Sequence, residues 1–285
     1  VIADPPATTV HLTNTVKLDN RSCTGRARRI TLNVDEHQAH TGVLIGGTYP
    51  INCGQSILRR TLLPHGQYVY GVFKALWQES GGTLSGNWRY GKTPAQATIL
   101  GQLDSVSLAE VIRYTNKFSN NVMARNLLLT LASEFAPKPA TPAKGAQIIH
   151  DWLNAVNIAM PNLLIDNGAG LSRDARVTAE GLATLLEAAT TLPWWPEFIG
   201  SLPIATVDGS LHRRFHGIAR PGRLRLKTGL LRGVRTLAGY AIDPAGDTWV
   251  VVILHNHARA TEPIGIKIQH QLLQTLFENH PRETN

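Results

Sequence analysis

Two short segments carry side chains that could take part in peptide chemistry. Lys227-Thr228-Gly229 follows a run that alternates basic and apolar residues, and Ser119-Asn120-Asn121 lies far upstream of it. Their ammonium, hydroxyl and carboxamide groups can move protons and hydrogen-bond to a peptide, and Gly229 leaves room for a backbone to approach. The same residues also have a structural interpretation, because Ser and Asn are favoured at helix N-caps and an isolated strand lysine is usually solvated.

A nucleophile does not accompany these segments. A serine activated by a lysine three residues later, Ser-x-x-Lys, is absent from the 285 residues. Ser56-Ile57-Leu58-Arg59 ends in an arginine, which stays protonated and cannot act as a base. Thr141-Pro142-Ala143-Lys144 overlaps the proline-rich stretch 137–142, which we interpret as a linker. The sequence therefore contains most of a reactive site without its nucleophile.

Helices and strands are predicted to position the two segments. Ser107-Leu108-Ala109-Glu110 is a capping box that begins a helix running toward Lys117, and an apolar face predicts a second helix over 121–134. Ser119 then lies at the junction between the two helices. Further helices are predicted at 146–156, 178–189 and 264–277, and strands at 223–228, 235–242 and 248–255. The last two strands are joined by a hairpin-length turn and should pair antiparallel.

The first third of the chain has a different character. Its runs at 8–13, 29–34 and 67–70 alternate apolar and polar residues or are β-branched, which favours strands. Glycine pairs such as Gly46-Gly47 are interpreted as interruptions between these strands. Helical spacing of apolar residues appears only at 70–79. We predict two domains, a mostly β domain at 1–93 and an α/β domain at 94–285.

Two cysteines, Cys23 and Cys53, lie in the β-rich region. An even count there predicts one disulfide in an oxidising compartment, and two buried free thiols are the alternative. His255 and His257 alternate on the last strand, but they belong to no recognised triad and have no evident third metal ligand. We predict no metal and no cofactor.

Composition narrows the classes of partner. The net charge of +8 would suit nucleic acid, an anionic membrane or an anionic polymer such as a cell wall. The basic clusters are short and lack interleaved aromatic residues, so nucleic acid is not the predicted partner. No apolar run approaches the roughly 18 residues needed to cross a bilayer. The first residues lack an initiator Met and signal-peptide features, and we expect a chain cut or matured upstream.

Several motifs in order resemble one family. The segment 116–121 resembles its Ser-x-Asn motif, Asp166 to Arg173 resembles its glycine-rich D-x-G-x-G-L-S-R segment, and the stretch from 202 to 240 resembles the region around its Lys-Thr-Gly. The family is the D-alanyl-D-alanine carboxypeptidase/endopeptidase family of penicillin-binding proteins, of the penicillin-binding protein 4 type. The resemblance is close over about 100–260. Residues 1–93 resemble less closely the later part of the domain that this family inserts between its nucleophile and Ser-x-Asn.

The resemblance implies a fold and roles for the residues. The fold would be a transpeptidase-like α/β (α+β) domain, with an antiparallel sheet flanked by helices and a mostly β insertion. Ser119 would relay a proton to the leaving amine, and Asn121 would donate to the substrate amide. Lys227 would supply positive charge, Thr228 would bind the substrate carboxylate, and Gly229 would admit its backbone. Leu230 departs from the family, whose members usually carry a hydroxyl residue there.

The function implied is serine-type hydrolysis of peptidoglycan stem peptides through an acyl-enzyme in the periplasm. β-Lactam antibiotics would be inhibitors. The Ser-x-x-Lys of the family precedes the motifs seen here, so we expect a nucleophile segment upstream and an inactive chain without it. The alternative is a non-catalytic protein that binds D-Ala-ended peptides or cell-wall polymer.

Overall fold

The computed structural model describes residues 1–24, 29–36, 40–218 and 221–279. The chain divides into two compact units, Val1–Gln102 and Leu103–Asn285. Within the described ranges, no helix has the length and apolar character needed to cross a membrane.

A four-stranded sheet forms the centre of the first unit. Its strands are β1 (Val10–Asn14), β2 (Lys17–Asp19), β3 (Arg29–Glu36) and β4 (Thr41–Pro50). The long strand β4 pairs in parallel with β1 and β2 and antiparallel with β3. The interpretation of Gly46-Gly47 as an interruption is wrong, because both lie inside β4. Gly47 has φ +95°, and a Cβ there would lie 1.8 Å from the carbonyl oxygen of Arg29, so glycine permits the pairing with β3.

One helix, α1 (His65–Glu79), accompanies this sheet. The prediction of a strand at 67–70 is therefore wrong, and the alternating run is the first turns of the helix. Gln67 and Gly71, one helical turn apart, face Thr9, whose hydroxyl donates to the carbonyl of Gln67 at 3.2 Å. Packing against Thr9 thus selects the helical period over the period of two. A disulfide joins Cys23 to Cys53 in this unit.

The second unit is built on a three-stranded antiparallel sheet in the order β5-β6-β7. Its strands are β5 (Leu224–Leu231), β6 (Val234–Ile242) and β7 (Thr248–Asn256). The helices are α2 (Leu108–Phe118), α3 (Asn121–Phe135), α4 (Pro142–Ala155), α5 (Ala179–Ala189), α6 (Trp195–Ser201) and α7 (Pro263–Asn279), with a short 3₁₀ turn at Gly209–Leu211. Helix α4 begins inside the predicted linker, because Thr141 caps it and Pro142 occupies its first position.

Helical elements cover both faces of this sheet. On one face, Leu226 and Leu237 pack with Leu273 of α7 and with Leu211 and Phe215. On the other face, Tyr240 packs with Leu186 of α5 and with Leu202, which follows α6. The predicted antiparallel sheet flanked by helices is confirmed, and the two core layers fix β5 between α7 and the helices of the opposite face.

Candidate active site

A sharp corner between α2 and α3 presents Ser119. Helix α2 is capped by Ser107, whose hydroxyl accepts from the N–H of Glu110 at 3.3 Å, and it ends at Phe118. Ser119 adopts the left-handed conformation (φ 51°, ψ 48°) that ends the helix. Asn120 then caps α3 by accepting from the N–H of Met123 at 3.1 Å. Asn120 therefore does the capping, and the hydroxyl of Ser119 is left for other contacts.

Lys227 brings β5 against this corner. Its Nζ donates to the hydroxyl oxygen of Ser119 and, at 2.8 Å, to the carbonyl oxygen of Thr228. The side chain is half-buried, and no carboxylate in the described ranges forms an ion pair with it. The structure thus joins two residues that lie 108 positions apart in the sequence.

Burial lowers the pKa of the Lys227 ammonium below the usual lysine range, because desolvation disfavours the charged form. A carboxylate bound beside it would oppose this effect. An ammonium that lacks an acidic partner can attract such a ligand, and it can also share a proton through the Ser119 hydroxyl.

Asn121 is the first residue of α3 and is exposed. Its carboxamide forms no hydrogen bond with another described residue, whereas the side chain of neighbouring Asn120 is occupied by its cap. The carboxamide of Asn121 is therefore available to a ligand near Ser119.

Thr228 and Gly229 continue the site along β5. The hydroxyl of Thr228 lies 3.0 Å from that of Ser210, which belongs to the 3₁₀ turn at Gly209–Leu211. A Cβ on Gly229 would lie 2.3 Å from the hydroxyl of Thr236 on the neighbouring strand β6. The Thr236 side chain would have to shift to admit a larger residue, so glycine favours the pairing of β5 and β6 here, in addition to any role toward a ligand.

Part of the outer edge of β5 is open. Ala205 donates its N–H to Leu224, and Leu226 donates to the carbonyl of Pro203, both at 3.0 Å. Alternate residues of a strand turn their backbone groups to the same edge, so those of Thr228 and Leu230 also face outward. Beyond the bridge between Ile204 and Arg225, no strand of the described ranges pairs with β5 on this side, and the backbone groups at Thr228 and Leu230 can accept an extended peptide.

Comparison with known proteins identifies the family. The model of the D-Ala-D-Ala carboxypeptidase 3 (S13) family matches residues 1–276. The chain belongs to this family. It is 30% identical over 251 residues to a D-alanyl-D-alanine carboxypeptidase of an Actinomadura species, covering 85% of this chain and 46% of that protein. It is 28% identical over 263 residues to penicillin-sensitive carboxypeptidase A of Dictyostelium discoideum, covering 87% and 49%.

The chain thus spans about half the length of these S13 relatives. A solved structure of penicillin-binding protein 4 from Haemophilus influenzae aligns with a TM-score of 0.70 at 21% identity, covering 94% of this chain and 60% of that one. A second structure of the same protein, complexed with a β-lactam, aligns with a TM-score of 0.69 over 95% and 64%. The S13 chain therefore shares the fold of penicillin-binding protein 4.

An ion pair between a buried lysine and a partly exposed aspartate supports the candidate site and was missed from the sequence. Lys117, 4% exposed, donates from Nζ to the carboxylate of Asp208 at 2.6 Å and to the carbonyl of Leu202 at 2.7 Å. The other carboxylate oxygen of Asp208 accepts from the N–H of Ile204 at 2.8 Å. Lys117 lies two residues before Ser119, and Asp208 two residues before Ser210, so one contact places both hydroxyls. No local sequence signal distinguishes Lys117 from a solvated helix lysine.

Gly209 makes that placement sterically feasible. It has φ +57°, and a Cβ there would lie 2.6 Å from the carbonyl oxygen of Lys117. The 3₁₀ turn therefore packs directly on the end of α2, which a larger residue would prevent.

The glycine-rich segment at Asp166 to Arg173 folds as a self-bonded loop. Asn167 donates to the carbonyl of Leu171 at 3.0 Å and accepts from the N–H of Ala169 at 2.9 Å. Arg173 donates from Nη1 to the carbonyl of Arg232 at 2.8 Å, in the turn between β5 and β6. This contact ties the loop to the end of β5 that follows Lys-Thr-Gly.

His255 of β7 and His257, just after it, take no part in the Lys227 contacts. His257 follows the strand and accepts from the N–H of Arg259 at 3.1 Å, and Nδ1 of His255 is buried without a partner in the described ranges. No group of three His, Cys, Asp or Glu residues suited to a metal occurs among the described residues.

Proposed function

We propose that the open edge of β5 binds the D-Ala-D-Ala end of a peptidoglycan stem peptide and that Ser119, Asn121 and Lys227 take part in its serine-type hydrolysis. The observation that carries this proposal is the contact between Lys227 and Ser119 beside an unpaired stretch of strand. The ammonium of Lys227, which has no acidic partner among the described residues, lies where the carboxylate of a docked peptide would come.

Each contact has a role in this reaction. A nucleophilic serine attacks the carbonyl between the two D-alanines, forms an ester and expels the terminal D-Ala amine. Ser119, which accepts a hydrogen bond from Lys227, can pass a proton to that amine. Water then hydrolyses the ester and frees the serine. Lys227 keeps the Ser119 hydroxyl oriented and adds positive charge near the departing product.

The remaining groups bind the peptide. The free carboxamide of Asn121 can donate to the amide on the acyl side, and the Thr228 hydroxyl, held by Ser210, can bond the terminal carboxylate. The outward N–H of Leu230 can donate to the carbonyl under attack, where negative charge develops. Pairing with the strand edge would align the peptide along β5.

The nucleophile in this proposal is a Ser-x-x-Lys carried by sequence beyond the 285 residues. The coverage of about half of each S13 relative supports it. β-Lactams, one of which is bound in a structure of Haemophilus influenzae penicillin-binding protein 4, would acylate that serine. We place the protein in the periplasm, where a Cys23–Cys53 disulfide persists and peptidoglycan is accessible.

Labelling with a fluorescent penicillin tests the proposal. We expect covalent labelling of a longer protein that includes the upstream coding sequence, and none of the 285-residue chain. In the longer protein, Lys227→Met should slow acylation by about 10²-fold, the typical loss for one preorganised donor. Labelling of the 285-residue chain would contradict the assignment of the nucleophile, and an unlabelled longer protein would contradict serine-type catalysis.

A non-catalytic binder of D-Ala-ended peptides is the second candidate. The open edge of β5 and the unpaired Lys227 would serve binding alone, and the 285 residues contain no Ser-x-x-Lys. Calorimetry with a D-Ala-D-Ala peptide, followed by an assay for free D-Ala, separates the two functions. Binding by the longer protein without release of D-Ala would favour the binder.

A further inference from the structure

A second group of polar side chains lies on the face of the sheet opposite Lys227. We call Arg214, Arg235, His255 and Gln269 the basic cluster. Arg235 is 8% exposed on β6, and Gln269 of α7 is fully buried. Lys227 pairs in register with Ala238, three residues from Arg235, so their side chains point to opposite faces.

Helix α7 holds the two arginines side by side. Gln269 accepts from Nη2 of Arg214 at 2.8 Å, and one turn earlier a Cβ on Gly265 would lie 3.1 Å from Nε of Arg235. His255 is the register partner of Arg235 across β6 and β7 and shares its face of the sheet. Burial, and secondarily the charge of Arg235, lower the pKa of Arg214 to about 10.

The cluster has donors without acceptors. Nε of Arg214, Nε2 of Gln269 and Nδ1 of His255 are buried and have no hydrogen-bond partner in the part of the chain that the structure describes. A buried polar group without a hydrogen-bond partner destabilises the folded state. Several such groups at one place indicate an acceptor that belongs there.

The described residues supply Arg235 with neutral acceptors alone. Its Nε donates to the carbonyl of Ala260 at 2.7 Å and its Nη2 to that of Thr261 at 3.0 Å. Glu262, the next residue, pairs instead with Arg259 at 2.7 Å. Neither Arg214 nor Arg235 forms an ion pair with a carboxylate of the described ranges. A neutral acceptor such as water would leave the repulsion between the two guanidinium groups, whereas an anion would relieve it.

We propose that the basic cluster binds a carboxylate-type oxyanion through Arg214 and Gln269, next to Arg235. A planar guanidinium matches a carboxylate, and the orphan N–H groups of Arg214 and Gln269 supply donors for it. The oxyanion comes either from a free small anion or from an acidic side chain of polypeptide beyond the 285 residues. This site is separate from the proposed peptide site and does not depend on it.

Thermal unfolding of the 285-residue chain in acetate and in chloride, at equal ionic strength, tests the site. Acetate should raise Tm saturably by about 2–4 °C, the shift expected for a modest ligand on a domain of this size. Arg214→Met should lose this response, because it removes the guanidinium that would bind the anion. Arg213→Met, at an exposed neighbouring residue, should respond as the unchanged chain does.

A second variant keeps the test decisive if Arg214→Met does not fold. Gln269→Glu places a carboxylate beside Arg214 with little change in volume. It should raise Tm in chloride and abolish the response to acetate. Two results would overturn the proposal. In the first, acetate raises the Tm of neither the unchanged chain nor Arg213→Met, and Gln269→Glu does not raise Tm in chloride. In the second, acetate raises the Tm of Arg214→Met as much as that of the unchanged chain.

The longer protein distinguishes the two sources of the oxyanion. If an upstream acidic side chain fills the cluster, the longer protein should show no response to acetate, and Gln269→Glu should lower its Tm through repulsion between carboxylates. If the anion is free, both proteins should respond alike. Either result supports an oxyanion site and assigns its occupant.

Discussion

Two lysines meet at the corner that presents Ser119, and their surroundings differ in burial and in charge pairing. Lys117 has a carboxylate partner, Asp208, and is almost fully buried. Lys227 is half-buried, contacts the Ser119 hydroxyl and has no carboxylate partner among the described residues. A paired ammonium stabilises the fold, whereas an unpaired one can bind a ligand. We propose that Lys117 has a structural role at this corner and that Lys227 has a functional one.

The largest effect on stability is expected from replacing Lys117, the lysine that is paired with Asp208. Lys117→Met leaves Asp208 without its counter-charge and removes the hydrogen bond to Leu202. We expect a loss of about 3 kcal/mol in the free energy of unfolding, at the low end for a buried pair because Asp208 is partly exposed. Urea denaturation measures it. Lys267→Met, at an exposed position on α7, is the control, and an equally small loss in both variants would contradict the structural role.

Lys227→Met should change binding rather than folding. We expect the Kd for a D-Ala-D-Ala peptide to rise about thirtyfold, which corresponds to about 2 kcal/mol for one charged hydrogen bond. The free energy of unfolding should stay level or rise, because a desolvated charge is removed. Calorimetry with the same peptide ended by an amide is the control. If Lys227→Met loses as much affinity for the amide-ended peptide as for the carboxylate-ended one, Lys227 does not act on the carboxylate.

The pH dependence of binding should report the unpaired lysine directly. The protonated ammonium attracts the carboxylate, so affinity falls as pH rises through the pKa of Lys227. Because burial lowers this pKa, the fall should begin below the ordinary lysine value of 10.5. Above the pKa, the affinity should fall by about tenfold per pH unit until it equals the affinity of Lys227→Met. Lys227→Arg should give a flat profile over the same range, since guanidinium stays protonated. An unchanged inflection in that variant would assign it to another group.

The smallest expected effect concerns Leu230. Thr228 and Leu230 are two positions apart on β5, so their side chains share a face. Leu230→Thr would add a hydroxyl beside Thr228, and we expect about fivefold tighter binding of the carboxylate-ended peptide, near 1 kcal/mol for one hydrogen bond. Leu231→Thr, which points to the other face, is the matched control. Equal gains in both variants would exclude a specific contact.

Local patterns predicted most of the second unit. The N-cap at Ser107, the helix after Asn121 and the hairpin between β6 and β7 all depend on neighbours in sequence, and the structure has each of them. The reciprocal half of the predicted capping box is replaced, because the Glu110 carboxylate accepts from Arg113. Helix α6 was not predicted, since its seven residues are too few to show a clear helical period.

Long-range contacts could not be predicted in the same way. The pairing of Lys117 with Asp208 spans 91 positions, and the bond between the Ser210 and Thr228 hydroxyls depends on packing of a 3₁₀ turn. In the first unit, 67–70 forms a helix because Thr9 packs against it, which no local pattern encodes. The motif resemblance named Ser119 and Lys227, and the fold supplied the residues that hold them.

The left-handed backbone of Ser119 sets folding against chemistry at a single residue. A residue with a Cβ costs about 1 kcal/mol in this conformation, whereas glycine does not. The corner would therefore be more stable with glycine at position 119. A thermostabilising screen judged by folding alone would therefore select against the serine hydroxyl. Engineering of this protein for stability would need to keep Ser119 unchanged, because the substitution that stabilises the corner also removes the hydroxyl that contacts Lys227.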